Sequence, residues 1–297
     1  MLPARLTVVS FDLLSNAIVA GFLLGGFYAA VSLGVSIAFG LLDVVNIAHP
    51  VFVILGSYAA YVTNTAFGLD PVVAGIVFTP VFYGIGVVVY RVYYVSFEKK
   101  GQESLRGLVF FFGVLFIVEV GLTLKYGVDY RLVEAPYIGE SLQFGPVGIA
   151  LRLLVPCVVA VLLTLGLYLY LAKTFVGRAI KAVSQDSLAL RLIGADPVRV
   201  KNVAFGIAIA TASLAGALLI MIGPVEPSMN REYIGRVFAV AVLGGMGSIG
   251  GTFLAAVILG VAESLTATFV GPSWAVAVSF GVLLLALAVR PAGLFGR

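Results

Sequence analysis

GRAIKAVSQDSLALRLIGADPVRVKN, Gly177 to Asn202, is a polar and basic island between two stretches, Leu153–Ala172 and Asn202–Val225, that contain no charged residue. The island carries Arg178, Lys181, Arg191, Arg199 and Lys201 against Asp186 and Asp196. Each flank reaches the ~20 apolar residues a helix needs to cross a bilayer. Working outward, uncharged runs recur at Leu13–Leu42, Pro71–Tyr90, Val237–Ala262 and Ser264–Val289. Hydrophobic residues make up 61% of the chain and charged residues 11%, and the mean hydropathy is +1.14. These values lie outside the composition of soluble domains. The alternation that marks a membrane barrel is missing, and a backbone in hydrocarbon must satisfy its own hydrogen bonds. The expected fold is all-α, a polytopic transmembrane bundle with residues 1–297 in one domain.

The basic residues set the orientation. Arg91, Lys99, Lys100 and Arg106 share one loop, Lys173 to Lys201 fill another, and Arg290 and Arg297 lie at the C-terminal end. The positive-inside rule makes these regions cytoplasmic. Lys125–Gly148 and Pro224–Arg236 mix both signs and should face outward. Spans at about 13–41, 49–64, 72–90, 107–125, 149–172, 202–223, 236–246, 251–270 and 274–290 then give nine crossings, within a range of eight to ten, and an outer N-terminus. The first run is too long for a cleavable leader, and no small-residue cleavage site follows it. The net charge of +4 follows this topology, so no nucleic-acid partner is expected. One His and one Cys, Cys157 lying in an apolar run, give neither a disulfide nor a metal site.

Several spans look broken. In LLDVVNIAHPVFVILG, Leu41–Gly56, the residues Asp43, Asn46 and His49 are three apart and share a helical face, and Pro50 removes a backbone donor there. The pattern fits a polar pathway or a short cytoplasmic turn with solvated groups. Gly21 and Gly25 have the spacing of close helix packing. GGMGSIGG, with Gly244, Gly245, Gly247, Gly250 and Gly251, reads as a tight hinge or re-entrant turn near the cytoplasmic face. No Lys follows it, which argues against a phosphate cradle. Glu119 and Glu263 interrupt apolar runs; both read as structural, although such residues are also candidates for ion sites.

Within the island, Ala179, Ile180, Ala182 and Val183 offer an apolar face beside Arg178 and Lys181, and Leu188, Leu190, Leu192 and Ile193 continue a second apolar set. Gly194 suits a left-handed helix end, and Asp196–Pro197 suits the start of the next helix. Such a segment fits an interfacial anchor or a groove on a partner protein.

The chain resembles the LivH-type permease subunits of branched-chain amino-acid ABC importers. The resemblance is carried by GGFYAAVSLGVSIAFG (Gly25–Gly40), VVNIAH (Val44–His49), the Gly177–Asn202 island, AVLGGMGSIGG (Ala241–Gly251) with GVAE (Gly260–Glu263), and RPAGLFG (Arg290–Gly296). It implies a multi-pass permease in a bacterial or archaeal cytoplasmic membrane. Its implied partners are a homologous or identical second permease, two cytoplasmic ABC ATPases and a periplasmic substrate-binding protein. ATP and Mg would belong to the ATPases, so the chain itself binds no cofactor and is not an enzyme. A coupling helix at about Arg178–Ile193, with Gly177, Arg178, Ala179, Ile180, Lys181, Ala182, Val183, Asp186, Gly194 and Asp196, would dock on an ATPase, and Asn46 and His49 would lie on the substrate pathway. In one place the chain departs from the pattern. Pro50-Val51 stands where family members commonly carry Gly-Glu, which leaves the cargo open between branched-chain or hydrophobic amino acids and solutes such as urea, short amides or aromatic acids. The competing classes are an ion-coupled secondary transporter using Glu119 or Glu263 and a passive channel. No cluster of nucleophile, base and metal ligands suggests a membrane enzyme.

Overall fold

The computed structural model describes residues 11–101, 104–145, 147–192, 194–289 and 293–295. Ile193, Arg290 and Arg297, and most of the Arg290–Gly296 block, fall outside them. Eight helices are long and apolar enough to cross a membrane: α1 (Phe11–Gly40), α2 (His49–Phe67), α3 (Pro71–Ser96), α4 (Ser104–Tyr126), α5 (Leu151–Lys173), α8 (Pro197–Ile222), α10 (Ile249–Phe269) and α11 (Pro272–Val289). Between α5 and α8 lie the short helices α6 (Phe175–Gln185) and α7 (Ser187–Leu192). A further helix, α9 (Asn230–Gly244), has 15 residues. Its first residue bonds to Glu119 of α4, and its last packs on the backbone of Gly251 and Thr252 at the start of α10. The eight long helices fall within the expected range of eight to ten spans, and the short α9 overlaps the ninth stretch, expected at about 236–246.

The outer face is tied together by polar loops. Strands β1 (Ser141–Phe144) and β2 (Val147–Ala150) form an antiparallel hairpin that the all-α reading did not anticipate. The Gly148 N–H donates to Asn16 Oδ1 of α1, and Arg131 bridges to Val225. Asn64 bonds the backbone of Glu134 at both its side-chain atoms. The Tyr137 hydroxyl donates to Asp70 at 2.6 Å; burial, then the Asp70 carboxylate, pushes this phenol above its ordinary range and keeps it a donor. Lys125–Gly148 thus gathers at one end of the bundle with the 223–229 loop and the ends of α1 and α2. Arg236 does not join them: it lies in α9 inside the bundle with 12% of its side chain exposed.

The core has a two-fold pattern. α1 packs along α10 and α3 along α8, while α1 and α8 contact each other. α2 lies on α8 and α9 lies on α1. The first four and last four helices therefore have matching neighbours but run in opposite directions, the arrangement of an inverted repeat. Small residues permit this closeness. A Cβ at Gly216 would fall on the Val53 carbonyl of α2, and one at Gly25 would lie 2.5 Å from Val257 Cα of α10. In lipid such contacts hold helices together by dispersion and hydrogen bonds. Ser57 Oγ donates across the α2–α8 seam to Gly216 O at 2.7 Å, and Ser213 Oγ donates to Gly75 O at 2.8 Å.

Candidate coupling site at the inner face

The island folds as two helices, where the sequence suggested one continuous helix from Arg178. Thr174 caps α6 by accepting from the Gly177 N–H at 3.0 Å. Asp186 adopts an extended conformation that ends α6. Its Oδ1 then accepts from the Leu188 and Ala189 N–H groups at 2.8 and 2.9 Å and starts α7. A short carboxylate that satisfies two orphan donors favours a new helix start over helix continuation. Gly194 takes φ 83°, and its N–H returns to Arg191 O. Asp196 Oδ1 accepts from Val198 N–H, with Pro197 in the first turn of α8.

Gly177, Ile180 and Val183 of α6 and Leu190 of α7 turn inward and are buried. Gly177 lies flat on Tyr170 and Leu171 at the end of α5, where a side chain would strike backbone. Ala179 and Ala182, expected on the apolar face, are half-buried. Phe175, Leu188 and Leu192 point outward, together with the exposed Arg178, Lys181, Asp186 and Arg191. This end of the bundle therefore exposes apolar and cationic side chains on one short segment, seated on the bundle by its buried residues. Lys201 of α8 meets Glu98 at 2.6 Å, and Glu98 also accepts from the Tyr90 hydroxyl at 2.8 Å.

The glycine-rich turn lies beside this segment. Gly245 and Gly247 have φ of 88° and 82°, a region costly for other residues. Ser248 caps α10 by accepting from Gly251 N–H. A Cβ at Gly40 would fall on the Gly247 backbone, and Gly244 and Gly251 meet backbone to backbone. Gly250 has open space around it. A cavity of about 880 Å³ opens between the turn and α6, lined in part by Lys181, Gln185, Ser248 and Phe295.

Asn46 and His49 are neither in a solvated turn nor in an open channel. After α1 the chain doubles back, and His49 packs against Val31 and Gly34, about 9–13 Å above the end of α1. Both residues are buried, whereas Asp43, at φ 58°, is exposed. His49 Nε2 is 3.1 Å from Val31 O, and Asn46 Oδ1 accepts from Ala48 N–H. Asn46 Nδ2 and His49 Nδ1 are buried with no hydrogen-bond partner. Pro50 falls in the first turn of α2, where its missing donor costs nothing. It therefore starts the helix and does not break one.

The two intramembrane carboxylates are closed into networks. Glu263 accepts from Tyr28 Oη at 2.5 Å, from Arg236 Nε at 3.0 Å and from Ser279 Oγ. Tyr28 and Tyr233 flank the Arg236 guanidinium. Glu119 accepts from Asn230 Nδ2 at 2.9 Å and Arg231 Nη2 at 2.6 Å. Sequence reasoning found both carboxylates but neither arginine partner, because the partners lie 27 and 112 positions away. Their one sequence signal is the polar first half of a 15-residue helix, Asn230, Arg231, Glu232 and Arg236, ahead of an apolar second half.

A family model described as branched-chain amino acid transport system / permease component matches residues 17–287. The chain is similar to the high-affinity branched-chain amino acid transport system permease protein BraD of Pseudomonas aeruginosa, with 31% identity over 94% of this chain and 95% of that one. It is 29% identical to the permease protein LivH of Escherichia coli K12, over 93% and 94% of the two chains. Among solved structures it is similar to PsaBC from Streptococcus pneumoniae in complex with Fab, with TM-score 0.50, 13% identity, and 96% and 95% coverage. At that identity the likeness is one of fold alone.

Proposed function

Because the chain belongs to the family of branched-chain amino acid transport permease components, we propose that it forms part of the substrate path of a binding-protein-dependent ABC importer in a cytoplasmic membrane. A second permease, two cytoplasmic ATPases carrying ATP and Mg, and a periplasmic binding protein complete the machine. The observation that carries this reading is the α6–α7 face: Phe175, Leu188 and Leu192 exposed among Arg178, Lys181 and Arg191. An apolar anchor with a cationic rim has the composition of a docking patch. Gly177, seated on the end of α5, transmits its displacement into the bundle. Closure of the ATPases moves α6–α7, and α5 and α8, which bracket them in the chain, follow as rigid rods. The path then alternates between outward and inward access. Asn46 and His49 enter as polar groups sealed in the present state, whose unpaired Nδ2 and Nδ1 meet the path when α1 and α2 part.

The secondary-transporter alternative is less well supported, since Glu119 and Glu263 are each bonded to an arginine and to neutral donors. The test is co-purification with the neighbouring gene products in mild detergent. The reading predicts that wild type retains an ATPase and that Arg178→Glu with Lys181→Glu releases it. Retention of both ATPase and uptake by the double variant would overturn the coupling role.

A further inference from the structure

A largely apolar groove of about 690 Å³ lies between α3, α5 and α8, apart from the α6–α7 face and from both carboxylate networks. Its three walls are long apolar helices of the kind that cross a membrane. Gly166 of α5 is exposed in it, and a Cβ there would meet nothing within 4 Å. Leu162 to Tyr170, the stretch of α5 along the groove, rises about 12 Å. Thr79 and Thr211 line it with their hydroxyls already bonded inside their own helices: Thr79 Oγ donates to Gly75 O at 2.9 Å, and Thr211 Oγ to Ala208 O at 2.8 Å. The other polar side chains in the lining are Tyr83 and Tyr170, and Tyr170 lies one turn before the end of α5.

Beyond the tyrosines the groove leads to positive charge. Lys173, the last residue of α5, follows Gly166 by two helical turns and shares its face. Arg91 of α3 follows Tyr83 by about two turns. Both cations are exposed, and among the described residues neither is in an ion pair. A zwitterion or an amide would bring polar ends that need partners inside the groove, where both threonine protons are already taken. An acyl chain needs no partners there. Its headgroup would emerge past the tyrosines, whose rings suit a boundary between apolar and wet surroundings, toward Lys173 and Arg91.

We propose that this groove holds an acyl chain of an anionic membrane phospholipid, with the phosphate of its headgroup at Lys173 and Arg91. Burial of methylenes supplies the affinity, and the two cations at the mouth of a pocket between membrane helices supply the preference for an anionic headgroup. The site depends only on α3, α5 and α8 spanning a membrane, and it stands whatever cargo the chain moves.

The test uses the full chain in phosphatidylcholine vesicles containing either phosphatidylglycerol or phosphatidylcholine brominated on its acyl chains, which quenches tryptophan on contact. Trp274→Phe removes the one native tryptophan, and Tyr170→Trp places a probe in the groove. This probe should be quenched by brominated phosphatidylglycerol at a lipid fraction about tenfold or more below that needed with brominated phosphatidylcholine, the preference two cations confer. A Leu165→Trp probe, at an exposed position of α5 outside the groove, should respond equally to both. Lys173→Gln should cut the preference about fivefold, and Gly166→Leu, which has room to fit, should abolish it by filling the groove. Equal quenching of the Tyr170→Trp probe by the two lipids would overturn the site, as would a preference that survives Gly166→Leu or that Lys173→Gln with Arg91→Gln leaves unchanged. Weak quenching by both lipids beside full quenching of the Leu165→Trp probe would also overturn it, because a second copy of the chain would then cover the groove.

Discussion

Replacing Glu263 by Leu leaves the Arg236 guanidinium without its carboxylate in the middle of the bundle. Glu263 is 3% exposed and Arg236 12%, so solvent screens little of the loss. Removing one partner of a buried pair costs about 3–5 kcal/mol. Taking Arg236 to Met as well removes the orphaned charge. It leaves the Tyr28 hydroxyl and the Ser279 hydroxyl unpaired, together about 1–3 kcal/mol when partly relieved by new neighbours. The double variant should therefore be more stable than Glu263→Leu alone by about 2 kcal/mol, and the coupling energy across the cycle should exceed that difference by the cost of Arg236→Met alone. The assay is unfolding of the purified permease in mixed micelles by titration with dodecyl sulfate, read by circular dichroism for wild type, both single variants and the double. A coupling energy under about 0.5 kcal/mol would refute the structural role. So would a Glu263→Gln variant of unchanged stability whose uptake no longer responds to a proton gradient.

Three further outcomes follow from the packing and the caps. Gly216→Ala should destabilise by about 1–3 kcal/mol through overpacking against Val53, whereas Gly113→Ala, with open space around it, should stay within about 0.5 kcal/mol; the same unfolding titration measures both. Asp186→Ala removes the cap of α7, worth about 1 kcal/mol, and should raise amide hydrogen exchange across Ser187–Leu192 while leaving Phe175–Gln185 protected. Gly40→Val cannot fit against Gly247, so it should pull the glycine turn away from α1 and lower assembly yield, seen as loss of the monodisperse peak in size exclusion.

Much of this architecture was legible because lipid imposes a simple grammar. Charge-free runs marked the long spans to within a few residues. Gly194 and Asp196–Pro197 marked their helix ends through local chemistry alone. The misses have physical causes. Asp186 splits the Gly177–Asn202 island because capping two donors competes with helix continuation, and composition does not decide that contest. Arg236 counted as an outer-loop cation in a linear charge tally, yet Glu263 and two tyrosine rings pull it into the core. Pro50 looked like a breaker but sits at a helix start, where no donor is required. The burial of Asn46 and His49 depends on a chain reversal after Gly40 that brings His49 back to Val31 and Gly34 of α1, a tertiary contact that spacing alone does not show. The outer hairpin is too short to leave a pattern against the surrounding apolar background.

The central claim is that ATP hydrolysis in partner subunits, transmitted through α6–α7, drives this chain. The most direct measurement is L-leucine uptake into proteoliposomes containing the permease pair and its ATPases, with the binding protein outside and ATP inside. The account predicts uptake that requires ATP, survives collapse of proton and sodium gradients by ionophores, and disappears when Arg178 and Lys181 are reversed to Glu. Uptake that proceeds without the ATPases and stops when the ion gradients are collapsed would contradict it.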